Sequence, residues 1–230
     1  FCAYTDLTGD GNHFNDTLCM NVSGIQQVSL SYCNDFDING GDWTPIPSPT
    51  GNTTWELGTP NFGATSSPHS APNAWDINLN FGYDFDAETY LLSPIFDFAT
   101  ACNARMEFWQ NRNISAFNDG ARIDYSINGG PWSILGTVGD TLATNWYTYP
   151  NIFASGIAGW DGNSNGWVKS TYNMNGYNSV GLLQIRFAFN SSPFTTGDGI
   201  SIDDFCMINP PLEDIGVSAI VNPTPIWGAG

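Results

Sequence analysis

Gly197-Asp198-Gly199-Ile200-Ser201-Ile202-Asp203-Asp204-Phe205 closes a β-rich run that Asn34-Asp35-Phe36-Asp37-Ile38-Asn39-Gly40-Gly41-Asp42-Trp43 opens. Both segments mix strand-forming apolar residues with aspartates. If the run between them folds into one sandwich, its first and last strands can lie side by side and bring carboxylates together. Clustered carboxylates repel unless a cation sits between them. The expectation is a calcium-stapled β-domain rather than a catalytic one, with Asp35, Asp37, Asp203 and Asp204 as ligands. Neighbouring strand residues face opposite sides, so Asp203 and Asp204 can share an ion only across a bulge.

The intervening sequence supports the sandwich. Helix signals are nearly absent, and 25 glycines and 14 prolines break the chain into short β-branched and aromatic runs. Strands are predicted at Val28–Tyr32, Thr89–Leu92, Arg105–Gln110, Ala121–Ile127, Trp132–Thr137, Leu182–Phe189 and Gly199–Ile208. In Leu182–Phe189, Leu183, Ile185, Phe187 and Phe189 share one face while Gln184 and Arg186 take the other. Asn128-Gly129-Gly130 is a hairpin turn between Ala121–Ile127 and Trp132. The fold class is all-β.

The chain of 230 residues carries 22 acids against 5 Lys+Arg, a net charge of −17. Arg105, Arg112, Arg122, Lys169 and Arg186 form no cluster in sequence, which argues against nucleic acid and anionic membrane as partners. No apolar run reaches transmembrane length. Five cysteines, Cys2, Cys19, Cys33, Cys102 and Cys206, show no CxxC spacing, so zinc has little support. Scattered cysteines in aromatic-rich, lysine-poor β-sequence point to an oxidising compartment.

Three regions stand apart from the core. Residues 1–27 hold a hairpin-like piece. Residues 44–75, rich in Pro, Ser, Thr and Gly, read as a surface excursion. After Asn209-Pro210-Pro211 a fresh alternating strand begins at Asp214. The predicted organisation is 1–27, 28–209 and 210–230.

Six segments in order carry a resemblance. Cys33-Asn34-Asp35-Phe36-Asp37 with Trp43, Tyr90-Leu91-Leu92-Ser93-Pro94, Met106-Glu107-Phe108-Trp109, Asp119-Gly120 through Trp132, Asn145-Trp146-Tyr147 with Leu182–Phe189, and Gly197–Phe205 together resemble a MAM-type jelly roll. The version resembled is that of large secreted Bacteroidetes proteins. The flanks resemble pieces of immunoglobulin-like (CARDB-type) repeats: the end of one before residue 28, the start of another after residue 210. The resemblance implies a jelly-roll β-sandwich with flanking immunoglobulin-like strand fragments, secreted or at the cell surface, with a structural calcium between first and last strands. It also implies a Cys102–Cys206 disulfide, with Cys2–Cys19 bridging the N-terminal hairpin. At Gly41 the chain departs from the pattern, where a cysteine would pair with Cys33. Asp16-Thr17-Leu18 and Asp140-Thr141-Leu142 look like short O-glycosylation motifs of the same phylum, placing sugars on Thr17 and Thr141.

Catalysis finds little support. The two histidines, His13 and His69, lie in polar loops, and neither Gly-x-Ser-x-Gly nor His-Glu-x-x-His occurs. Tryptophans 43, 55, 75, 146, 160 and 167 lie in or beside loops, where they plug the sandwich ends or stack on sugars; plugging is favoured for most. The expected role is a non-catalytic adhesion or structural module that binds glycans, other surface proteins or copies of itself. Two alternatives stand beside it. One is an accessory domain of a secreted hydrolase such as a metallopeptidase. The other is a filament subunit that adds strand Ile215–Val221 to a neighbour.

Overall fold

The computed structural model describes residues 24–152 and 156–211 in full, and the backbone of 2–4 and 17–19. Two largely antiparallel sheets face each other. The larger has eight strands, ordered Ala143–Thr144, Val168–Asn173, Arg105–Ile114, Gly199–Ile208, Ala74–Ile77 and Trp55–Gly58. Gly162–Asn163 also pairs with Arg105–Ile114, and Tyr32–Asn34 with Gly199–Ile208. The smaller sheet has seven, ordered Ser133–Ile134, Gly120–Ile127, Leu182–Asn190, Glu88–Leu92 and Thr44–Ile46, with Gln27–Ser29 and Ile95–Asp97 at its side. The chain crosses repeatedly between the sheets: Arg105–Ile114 leads to Gly120–Ile127, and Leu182–Asn190 leads to Gly199–Ile208. This is a jelly-roll sandwich. The expected excursion at 44–75 contributes one strand to each sheet, Thr44–Ile46 and Trp55–Gly58.

Alternation puts the core where the sequence expects it. Leu183, Ile185, Phe187 and Phe189 are fully buried, and Met106 and Phe108 meet them from the larger sheet. Phe108 stacks edge-to-face on Phe187 with centroids 5.1 Å apart. Trp43, Trp55, Trp75, Trp146 and Trp160 are all buried, so tryptophan fills the sandwich. At the predicted hairpin, Asn128 and Gly129 have φ of 52° and 71°, the left-handed pair that a two-residue turn requires.

The closing strand Gly199–Ile208 lies between Arg105–Ile114 on one side and Tyr32–Asn34 with Ala74–Ile77 on the other. First and last strands are thus adjacent, as expected, with Cys33 directly opposite Cys206. This register corrects the disulfide expectation: Cys206 is bonded to Cys33, and Cys102 is free and exposed. On the far side of the closing strand, Cys206 faces Glu107. Cys102 lies beyond the end of that pairing, where its amide donates to Asn209 Oδ1 at 3.1 Å. Gly41 shows why no cysteine sits at that position: its φ is +60°, and a Cβ would collide with the Tyr32 hydroxyl and the Asn34 side chain. Cys2 and Cys19 are register partners in a two-stranded ribbon, but their side chains lie outside the described residues, as do Thr17's side chain and the expected strand at 215–221.

The Cys33–Cys206 bond spans 173 residues, which in the chain-entropy model amounts to about 5 kcal/mol. The double variant Cys33→Ser/Cys206→Ser is expected to lower the melting temperature by roughly 10 °C or more in calorimetry. Peptide mapping after alkylation without reductant is expected to find Cys102 modified and Cys33 linked to Cys206; a Cys102–Cys206 peptide would refute the pairing.

Candidate functional site

Three of the four aspartates expected to hold calcium have partners of another kind. In the closing strand the register slips opposite Phe108, and Asp204 takes φ +47°. This bulge turns Asp203 and Asp204 toward the same loop. Asp203 Oδ2 accepts the amides of His69 and Ser70, each at 2.9 Å, and its Oδ1 accepts the amide of Asp204 at 2.8 Å. Asp204 Oδ2 pairs with His69 Nδ1 at 2.5 Å. Asp35 Oδ1 accepts the Asp37 amide at 3.2 Å in a local turn. Asp35 and Asp204 line one open pocket, whereas Asp203 is fully buried under the 69–70 peptide. Asp37 Oδ1 is buried and has no hydrogen-bond partner among the described residues. Among the described residues no cluster of three or more His, Cys, Asp or Glu is arranged to hold a metal. Backbone amides and a histidine fasten the closing strand where a cation was expected.

His69 also stacks on Trp109, centroids 3.9 Å apart, and meets Trp167 edge-on at 5.7 Å. Its Nδ1 is committed to Asp204, while the neighbouring Ser70 hydroxyl turns to Asp35 O and Asp203 Oδ1. That arrangement pins the loop to the sheet and aligns no nucleophile with the imidazole.

One end of the sandwich has a different character. The turn between Arg105–Ile114 and Gly120–Ile127 presents Phe117, and the connection after Leu182–Asn190 presents Phe194. Their exposures are 65% and 81%, unusually high for phenylalanine. Both line a pocket of about 320 Å³ that Asn118, Asn190 and Ser192 also line. Asn118 Oδ1 and Asn190 Nδ2 make no hydrogen bond within the described residues, so the pocket offers a free acceptor and a free donor.

Two buried carboxylates build this pocket. Asp119 is fully buried; its Oδ1 accepts the Ser192 amide at 2.6 Å, and its Oδ2 accepts the Tyr83 hydroxyl at 2.8 Å and the Thr195 hydroxyl at 3.0 Å. Tyr83 Oη in turn accepts the Ser115 amide at 3.0 Å. One side chain therefore ties the Phe194 loop to the Phe117 turn. Burial pushes the Tyr83 phenol far up, so it stays a donor. Asp161 performs the second fastening: its Oδ2 accepts the Phe117 amide at 3.0 Å and its Oδ1 the Thr148 hydroxyl at 2.6 Å. It holds Phe117 at φ +68°, a left-handed conformation that strains a bulky side chain by roughly 1–2 kcal/mol. Phe117 leans on Tyr149 edge-to-face, centroids 5.0 Å apart.

Sequence reasoning looked for surface tryptophans and passed over these phenylalanines. The available signal was a lone aromatic among turn residues, Ser115-Ala116-Phe117-Asn118-Asp119 and Ser192-Pro193-Phe194-Thr195, with no apolar neighbour at strand spacing. Trp167 is half-buried, and its indole donates to Ser67 O at 3.1 Å. Thr141 is exposed in the segment before Ala143–Thr144.

Neither a protein-family model nor a curated protein matches the chain. Among solved structures it is similar to TmCBM61 in complex with β-1,4-galactotriose, at 15% identity over 73% of this chain and 88% of that one, TM-score 0.43. It is similar to the K1 cleaved adhesin domain of Lys-gingipain from Porphyromonas gingivalis W83, at 13% identity over 78% and 98%, TM-score 0.45. A family 6 carbohydrate-binding module matches at 14% identity over 82% and 100%, TM-score 0.34. At these values the similarities describe the course of the chain and carry nothing about a ligand.

Burial raises the carboxyl pKa of Asp203 to about 6 against the amides that hold it, and raises those of Asp198 and, more strongly, Asp76. Asp76 is fully buried, with one oxygen accepting the Ser201 hydroxyl at 2.7 Å and the other without a partner. A folded-state pKa above the unfolded value of about 4 means that the folded chain binds more protons between the two. Stability therefore rises as pH falls through about 6 and declines again as pH rises. Calorimetry is expected to show a higher melting temperature at pH 5 than at pH 8; the reverse order would refute this balance. Replacing Asp119 with Ala strands a buried amide and two hydroxyls and is expected to destabilise by roughly 2–4 kcal/mol in urea unfolding.

Proposed function

We propose that this chain is a non-catalytic, extracellular glycan-binding module that takes a sugar ring between Phe117 and Phe194. The observation that supports this reading most is the strained, exposed Phe117, held in place by a buried carboxylate and lining the same pocket as a second exposed phenylalanine, Phe194. Backbone strain persists only where the surroundings enforce it, and it concentrates at binding sites. Exposed aromatic rings supply apolar contact to the C–H face of a sugar, while the unbonded Asn118 Oδ1 and Asn190 Nδ2 match its hydroxyls. Two exposed rings and several amide and hydroxyl groups in one pocket suit a ligand that is apolar on its faces and polar at its rim.

The extracellular setting rests on the Cys33–Cys206 bond, since disulfides persist in oxidising compartments. None of the five basic residues lines the Phe117–Phe194 pocket, which fits a neutral sugar there.

Isothermal titration of the chain with neutral β-1,4-linked gluco-, galacto-, manno- and xylo-oligosaccharides tests the reading. At least one series is expected to bind, and Phe194→Ala is expected to weaken it about tenfold or more. Phe117→Gly is expected to abolish binding while leaving the melting temperature unchanged or raised, because glycine adopts the left-handed conformation freely. Binding that survives both substitutions would place the site elsewhere.

A further inference from the structure

Four of the five basic residues have carboxylate partners. Arg105 and Lys169 reach Glu107, and Arg122 and Arg186 reach Asp124. Arg112 is the fifth and the most buried, 7% exposed, and among the described residues no carboxylate lies within ion-pair distance of it. It occupies the same face of Arg105–Ile114 as Met106 and Phe108 and so points into the sandwich end. A buried cation with no direct ion pair is costly, and the Asp161 carboxylate offsets that cost only from beyond contact distance.

The contacts of its guanidinium leave a fork open. Nε donates to Asp161 O at 3.0 Å and Nη1 to Gln110 Oε1 at 3.1 Å. Nη2 makes no hydrogen bond within the described residues and is not sealed from solvent, and Arg112 lines an open pocket. That pocket, of about 260 Å³, is rimmed by Asn145, Thr148, Asn163 and Ser164, with Trp146 and Val168 as its apolar wall. The carboxylate of Asp161 is near enough to favour the charged guanidinium, but its oxygens accept from the Thr148 hydroxyl and the Phe117 amide and do not bond Arg112 directly. Burial lowers the Arg112 pKa to about 10, which still leaves the group cationic at neutral pH.

We propose that this pocket is a carboxylate site, in which the free Nη1 and Nη2 hydrogens of Arg112 grip the acid group of a uronic acid residue in a glycan. Arginine presents two parallel N–H donors that match a carboxylate, while the amide and hydroxyl rim suits the remaining sugar hydroxyls. The pocket is open to solvent, and its volume of about 260 Å³ is on the scale of a single sugar unit. The site stands apart from the Phe117–Phe194 pocket, although Asp161 contacts both Phe117 and Arg112.

The Nε–H resonance of Arg112 in the 15N-labelled chain reports directly on the group. Titration with digalacturonic acid is expected to shift it, with affinity about tenfold or more above that of the dimethyl ester or of neutral galactobiose. Arg112→Lys is expected to lose about tenfold, since an ammonium cannot supply the fork. Phe194→Ala is expected to leave the shift unchanged, which separates failure of this site from failure of the neutral-sugar pocket. Equal binding of acid and ester by the wild-type chain overturns the proposal whatever the variants do. So does an acidic peptide that shifts Arg112 at the same concentration as the sugar acid.

Discussion

The larger sheet exists only once the closing strand Gly199–Ile208 has been inserted between Arg105–Ile114 and the pair Tyr32–Asn34 and Ala74–Ile77. That insertion joins residues at opposite ends of the described sandwich, and the Cys33–Cys206 bond records it covalently. The bulge within the strand sets the rest. Ile200 and Ile202 face the core before it, and Phe205 and Met207 after it. Without the extra residue the two halves of the strand would have opposite parity, and one pair would be turned to solvent. The same bulge presents Asp203 and Asp204 to the His69–Ser70 peptide, so the device that keeps the core in register also docks the outer loop.

What was legible in the sequence follows from this. Period-two patterning in Leu182–Asn190 and the Asn128-Gly129 turn are local properties, and both appear as expected. The adjacency of first and last strands was also legible, because both ends of the run carry the same kind of acidic strand. The disulfide was not, because pairing depends on register: Cys102 and Cys206 sit on segments that do pair, but Cys102 lies beyond the ladder while Cys33 lies within it. The hydrogen bonds that take up the expected calcium aspartates were not legible for a related reason. A list of carboxylates does not reveal the backbone amides that a folded loop brings to them, and here those amides come from residues 69 and 70, some 130 positions away.

The end of the sandwich turns the same physics to a different use. Asp119 and Asp161 are buried aspartates saturated by hydrogen bonds from neighbouring loops, so each converts flexible connections into a fixed frame. Preorganisation of that kind lowers the entropy lost on binding, and it is what allows exposed phenyl rings to act as walls rather than as freely rotating side chains. The rings were invisible to a reading that ranks aromatics by size, since the larger indoles are needed to fill the core.

Arg112 shows where such a frame stops being purely structural. On its face of the strand Phe108 and Ile114 are apolar, while Gln110 between them is buried and bonded to both Ser170 and Arg112. A guanidinium at position 112 loses solvation, and within the described residues it gains two neutral acceptors, with the Asp161 carboxylate nearby but no carboxylate in direct contact. The deficit is local: the bonded nitrogens fix the plane of the group, the unbonded one keeps contact with solvent, and the residue lines the pocket. A stability rationale explains the two bonds that are made. It does not explain the fork that is left open, and an anionic ligand does.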